Sequence, residues 1–206
     1  MLEREKMLVL LQQIQMTSDD VMPHFEEATL NKVFVHEKKR WWQFHIEMPR
    51  PLPYPLYAQF VTSVSKAFES IAQVDVVINS AVDQLDDEWY EAYWPHIVHS
   101  LDVSPPMRRA LLQQPLTFRG AQIVRTVESD FHANVLKTNY VPLLEREIVD
   151  CGLPPKQIVV EVAAQDERLE AEQLEALAAF EAQKLAEEQQ FAQRALQQKA
   201  KADEKR

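Results

Sequence analysis

Glycine is nearly missing from this chain: Gly120 and Gly152 are the only two in 206 residues. Backbone approaches a phosphate closely only where a Cβ is absent, so neither a P-loop nor a dinucleotide-binding glycine fingerprint can be built here. A Gly-x-Ser-x-Gly nucleophile elbow is excluded on the same ground. Cysteine is scarcer still. Cys151 alone rules out an intrachain disulfide framework and fits a reducing compartment, so the cytoplasm is the expected location. No run of about 18 apolar residues occurs, so no membrane partner is expected. The first six residues carry charges of both signs, and only Met7 to Leu11 is continuously apolar, short of a secretory h-region.

What is present is an ordinary globular composition, 46% hydrophobic and 26% charged, and not that of a disordered chain. The formal net charge is −10, with −7 on residues 1–163 and −3 on residues 164–206. A chain this acidic repels phosphate at long range, so binding nucleic acid would require a local basic patch. The nearest candidate is Lys38-Lys39-Arg40, followed at once by Trp41 and Trp42. A charged hairpin turn is the plainer reading of that run.

Periodicity divides residues 1–163 into two stretches with nearly the same order of elements. Leu8, Leu11 and Ile14, with Met7 and Leu10 beside them, predict a helix from Glu3 to Met16. Thr17-Ser18-Asp19-Asp20 predicts the cap of a second, short helix to about Glu27. The period then changes to two. Lys32 to His36 and Arg40 to Met48 predict a hairpin, with Trp42, Phe44, Ile46 and Met48 on one face and Trp41, Gln43, His45 and Glu47 on the other. Leu56, Phe60, Val64, Phe68 and Ile71 then mark a helix opened by Pro55, and Val74 to Ile78 a third strand.

The order recurs after Ser80. Asp86 caps a predicted helix through Leu101, kinked or interrupted at Pro95, and Ser104-Pro105-Pro106 opens another. Leu116 to Phe118 and Ala121 to Val127 predict strands turned at Arg119-Gly120. A helix from Ser129, a continuing helical stripe to Cys151 ended by Gly152, and a strand at Ile158 to Val162 complete the set. Residues 164–206 differ in kind: they hold no glycine or proline and keep no steady heptad, which predicts a long solvated helix acting as a connector.

The residue clusters that suggest chemistry have simpler accounts. His96, His99 and Asp102 lie three apart on one helix, but a solvated face explains them and the spacing matches no familiar metal site. Asp86-Asp87-Glu88 suits a helix start, where the dipole favours acids. Cys151 lies on an apolar helix face and is expected to be packed, not nucleophilic. No catalytic residue, cofactor or metal is expected.

Two resemblances follow. The second stretch, α-β-β-α-α-β, is similar to a type II KH domain, which implies single-stranded nucleic-acid binding; Arg119, Arg125 and Lys137 would be its contacts. A KH grip uses a Gly-x-x-Gly loop between two helices, and the corresponding stretch, Leu136-Lys137-Thr138-Asn139-Tyr140, has no glycine. Longer strings carry the second resemblance. Leu10-Leu11-Gln12-Gln13-Ile14-Gln15-Met16, Trp42-Gln43-Phe44-His45, Phe68-Glu69-Ser70-Ile71-Ala72-Gln73-Val74, Tyr93-Trp94, Ser104-Pro105-Pro106, Leu111-Leu112-Gln113-Gln114, Gly120 and Leu136 to Tyr140 resemble, in order, the start of the PolC-type DNA polymerase III alpha subunits. The likeness covers about residues 5–163.

That resemblance implies an α+β fold of two tandem small modules. Residues 1–80 would be an incomplete KH-like domain similar to the C-terminal domain of the clamp-loader tau subunit. Residues 81–163 would be a KH-like domain, and residues 164–206 a charged helical linker toward an OB-fold. In the family these domains precede the exonuclease and polymerase parts, so the role expected of this stretch is to hold replisome proteins, clamp-loader tau among them. The surface expected to do so is Lys38, Lys39, Arg40, Trp41, Gln43 and His45.

Overall fold

The computed structural model describes residues 2–163 and, further on, residues 178, 179, 182–184 and 186, which are helical. The long helix expected over 164–206 otherwise lies outside the described residues. Met1–Val162 form one compact unit, and Ala163–Arg206 a second.

The first unit is α+β and contains two three-stranded sheets of the same topology. Helix α1 (Glu3–Gln13) leads through a 3₁₀ turn (Met22–Phe25) to β1 (Thr29–His36), β2 (Trp41–Met48), α2 (Tyr54–Phe68) and β3 (Gln73–Ser80). Then follow α3 (Asp87–Ser100), α4 (Pro105–Gln113), β4 (Thr117–Arg119), β5 (Gln122–Val127), α5 (Asp130–Val135), α6 (Val141–Asp150) and β6 (Gln157–Val162). In each sheet an antiparallel hairpin is joined by a third strand lying parallel to its second member, giving the orders β1-β2-β3 and β4-β5-β6. A parallel neighbour requires a crossover, and α2 and the α5–α6 segment supply one for each sheet.

Local chemistry explains where the elements differ from the sequence expectation. Helix α1 ends three residues early because Gln15 takes a left-handed conformation (φ 58°). The Met16 N–H then bonds the Leu11 carbonyl at 2.9 Å and the Gln15 N–H that of Gln12 at 3.2 Å, satisfying the last turn. The short helix after Asp20 is a 3₁₀ turn with Pro23 in its first turn. Helix α3 runs through Pro95 without interruption. The carbonyl of Glu91 that loses its donor belongs to an exposed residue, where water can serve it.

Between α5 and α6 the chain stays helical, as the stripe from Ser129 to Cys151 predicts. Leu136–Tyr140, expected as the place of a grip loop, is a π-helical turn that continues α5 into α6.

The two sheets do not have separate interiors. Buried residues from both belong to one continuous core, with Phe60, Ile46 and Ile78 from the first stretch and Tyr90, Tyr93, Ile97, Ile123 and Ile148 from the second. Each such side chain contributes roughly 1.5–3 kcal/mol when fully buried. The contacts between stretches are polar as well as apolar. The Tyr93 hydroxyl donates to the Leu52 carbonyl at 2.6 Å, and the Ser80 hydroxyl to the Gly152 carbonyl at 2.6 Å. Just past α6, Cys151 bridges to Ile78 in parallel fashion, extending the first sheet by one residue pair. No helix among the described residues is long and apolar enough to cross a membrane.

Candidate interaction surface and the joint between the sheets

Strand alternation sorts β2 as its sequence suggests. Phe44, Ile46 and Met48 are buried and Trp42 packs against them, while Trp41, Gln43 and His45 lie on the opposite face and are half-buried. Register brings β1 to the same outward face: Phe34 is opposite Gln43, His36 opposite Trp41 and Lys32 opposite His45. The result is an aromatic surface. His36 stacks on Trp41 at 4.9 Å between centroids, and His45 meets Phe34 edge-on at 5.0 Å. The Trp41 indole N–H donates to Asp75, and the His45 ring and the Gln43 amide bond at 2.9 Å. These pairs, across strands and along β2, hold the rings in place, so a partner meets a preformed surface.

β1 is also an edge strand, and Val33, Phe34 and Val35 are 40%, 47% and 50% exposed along it. Three consecutive exposed apolar residues on an open edge offer both backbone hydrogen bonds and apolar contact. Sequence reading missed this half of the surface, although Val33-Phe34-Val35 between Lys32 and His36 is a signal for it.

The basic turn divides by role. Lys38 and Lys39 are exposed in a 3₁₀ turn (Glu37–Lys39). Arg40 is left-handed (φ 48°) and points back to the end of α2, donating to the carbonyls of Ile71 at 2.9 Å and Ser70 at 2.6 Å. It anchors the hairpin to α2, and its guanidinium is committed to that task.

Arg119, Arg125 and Lys137 do not form a patch. Arg119 lies on the surface in a bidentate pair with Glu161, at 2.7 and 3.3 Å. That pair holds the guanidinium above its usual pKa and the carboxyl below. Arg125 is only 2% exposed. Its guanidinium donates to the carbonyls of Gln114, Pro115, Ala110 and Leu111 at 3.1–3.3 Å and sits 5.6 Å over the Trp94 ring. Arg125 therefore closes the C-terminal end of α4, where four carbonyls have no partner within the helix, and it is withdrawn from the candidate nucleic-acid contacts. Lys137 is exposed on the π-helical turn.

Lys156, which no pattern in the sequence marks, is a second interior cation. It is 9% exposed, donates to Asp87 at 2.7 Å and to the Gly120 carbonyl at 3.2 Å, and lies over the rings of Tyr90 and Phe118 at 4.7 and 4.9 Å. It ties the start of α3 to the β4–β5 turn.

His96, His99 and Asp102 are not brought together. The His99 ring N–H donates to the Pro95 carbonyl at 2.6 Å on the surface. His96 turns inward, its Nε2 3.3 Å from the Tyr57 hydroxyl, which is itself 3.4 Å from the Cys151 sulfur. Glu147 completes a group in which one ligand atom each of His96, Glu147 and Cys151 lies within 4.8 Å of the others. Burial lowers the His96 pKa and raises that of Glu147. Cys151 is buried, and burial likewise pushes its thiol up to about 12. A cleft of about 410 Å³ is lined by His96 and Glu147 of this group and by Trp41, Gln43 and Asp75.

Comparison with known proteins matches both stretches. The family model described as DNA polymerase III polC-type N-terminus I matches residues 6–78, and that described as DNA polymerase III polC-type N-terminus II matches residues 92–206. The DNA polymerase III PolC-type of Bacillus subtilis (strain 168) is 29% identical over 201 residues, 97% of this chain and 13% of its own length. That of Oceanobacillus iheyensis is 28% identical over 201 residues, 98% of this chain and 14% of its own length. That of Staphylococcus aureus is 26% identical over 176 residues, 85% of this chain and 12% of its own length. The chain thus spans 12–14% of the length of these relatives.

Proposed function

The chain belongs to the PolC-type DNA polymerase III N-terminal family, and from that membership we propose that it is a non-catalytic region that holds replisome proteins during bacterial chromosome replication. The observation that carries the reading is the outward face of the first sheet. It combines the fixed rings of Phe34, His36, Trp41 and His45 with an open strand edge and the exposed Lys38 and Lys39. A surface of aromatic anchors rimmed by charge suits a protein partner. In a chain of net charge −10 its local lysines favour an acidic one. The clamp-loader tau subunit is the first partner to test, and the compartment is the cytoplasm.

We read both halves as KH-like, the first incompletely so. The support is the shared order of an antiparallel hairpin followed by a parallel third strand, with two helices between β5 and β6. The scaffold then serves to present surfaces, since a π-helical turn occupies the place of the grip loop.

The test is direct binding of the 206-residue chain to purified tau and other replisome proteins. Association at micromolar concentration or tighter, weakened by replacing Lys38 and Lys39 with Glu, is expected. Failure to bind any of them at those concentrations sinks the proposal.

A further inference from the structure

We propose that His96, Glu147 and Cys151 form a binding site for one zinc ion at the joint between the two sheets. The three residues come from α3, the last turns of α6 and the residue just beyond it. Among the described residues, they are the one group of three or more His, Cys, Asp or Glu side chains whose ligand atoms are gathered this closely, all within 4.8 Å of one another. Ligand atoms around a tetrahedral zinc stand about 3.3–3.8 Å apart, given bonds of roughly 2.0–2.3 Å, so side-chain movement of at most about 1.5 Å closes the group.

The donor set selects the metal. A thiolate with an imidazole and one carboxylate suits zinc, whereas magnesium and calcium call for oxygen donors throughout. The Tyr57 hydroxyl, 3.3 Å from His96 Nε2 and 3.4 Å from Cys151 Sγ, already stands at ligand-to-ligand spacing from two of the three. It offers the fourth position, or a hydrogen bond to a water held there. Access is through the cleft, whose wall includes Tyr57, His96 and Glu147. An ion here links α3 to α6, and the bridge from Cys151 to Ile78 carries that link to β3. The role is therefore structural: it locks the two sheets together. Binding releases the Cys151 thiol proton to solvent, so affinity rises with pH.

The experiment uses the untagged 206-residue chain, stripped with a chelator and titrated with zinc against a chromophoric competitor, with magnesium in parallel. One zinc per chain, a raised melting temperature and no effect of magnesium are expected. Cobalt(II) in place of zinc should give a thiolate-to-cobalt absorption band that Cys151→Ser abolishes, and H96Q and C151S should each weaken zinc binding about 100-fold. Absence of retained zinc, or no thiolate band with cobalt, overturns the proposal, as does wild-type stoichiometry and affinity in C151S. Should H96Q fail to fold, Glu147→Gln and the cobalt band of the unmodified chain decide the matter instead.

Discussion

Ile78 and Cys151, far apart in sequence, meet in a parallel bridge, and the side chain of Ile78 fills the space above the next residue, Gly152. A Cβ added at Gly152 would lie 2.7 Å from Ile78 Cγ2, and its backbone sits at φ +89°. Gly152 is thus required twice, to end α6 and to let the two halves touch. Replacing it with alanine is expected to lower stability by at least about 1–3 kcal/mol from backbone strain, with the clash adding to that. Denaturant unfolding should show it. Gly120→Ala is the control, because its φ is also positive (+60°) but the added Cβ meets nothing within 4 Å. The loss there should be the smaller of the two.

Arg125 tests the reassignment from nucleic-acid contact to helix closure. Arg125→Ala leaves the carbonyls at the end of α4 without their donors and opens a void beside Trp94. A loss of about 2–4 kcal/mol is expected, from several charge-assisted bonds removed together. Thermal melting checks it; a variant as stable as the parent would mean that the guanidinium is not needed to close the helix.

Lys156 and Asp87 predict a second effect on stability. Asp87 is half exposed, so solvent screens the pair, and Lys156→Ala should cost about 1–3 kcal/mol, part of it from lost contact with Tyr90 and Phe118. Lys156→Met keeps the stem and should cost less. Comparing the two variants in denaturant separates packing from charge.

Stability should fall at alkaline pH through Tyr90. Burial, with a smaller contribution from Asp87, pushes its phenol up to about 12 in the folded state, against 10.0 ordinarily. Above pH 10 the unfolded chain has therefore lost a proton that the folded chain keeps, and the slope of stability with pH is negative there. Tyr90→Phe, which also gives up the 2.9 Å bond to the Pro154 carbonyl, should lessen that slope while lowering stability at neutral pH; the rest of the slope belongs to Tyr57, Tyr93 and Cys151, which burial also pushes up. Unfolding curves between pH 8 and 11 are the measurement.

The outward face of the first sheet should tolerate changes that its inward face does not. Phe34→Ser, at a residue 47% exposed, should leave the melting temperature nearly unchanged and reduce partner binding about tenfold or more. Phe44→Ser, one pleat inward, should destabilise the protein outright.

The sequence by itself determined most of the local structure, because periodicity and punctuation are local. The face assignment of β2, the start of α4 at Pro105 after Ser104, whose side chain makes no capping bond, and Gly152 at the end of α6 all follow from neighbours within a few residues. Near-absence of glycine excluded whole classes of phosphate-binding chemistry before any fold was known. The ordered strings that resemble PolC-type polymerases identified the family, because collinear matches accumulate along a chain.

Tertiary structure decided which charges are available. Arg40, Arg125 and Lys156 read in the sequence like any other basic residues, yet each is committed to carbonyls or a carboxylate that folding brings near. His96 shows the same limit: its sequence neighbours at helical spacing do not join it, while Glu147 and Cys151, some 50 positions later, do. Burial and partnership depend on contacts between distant segments, which no local pattern encodes. The scarcity of glycine took on a further meaning in the fold: Gly152 is the place where the two halves could not touch if it carried a side chain.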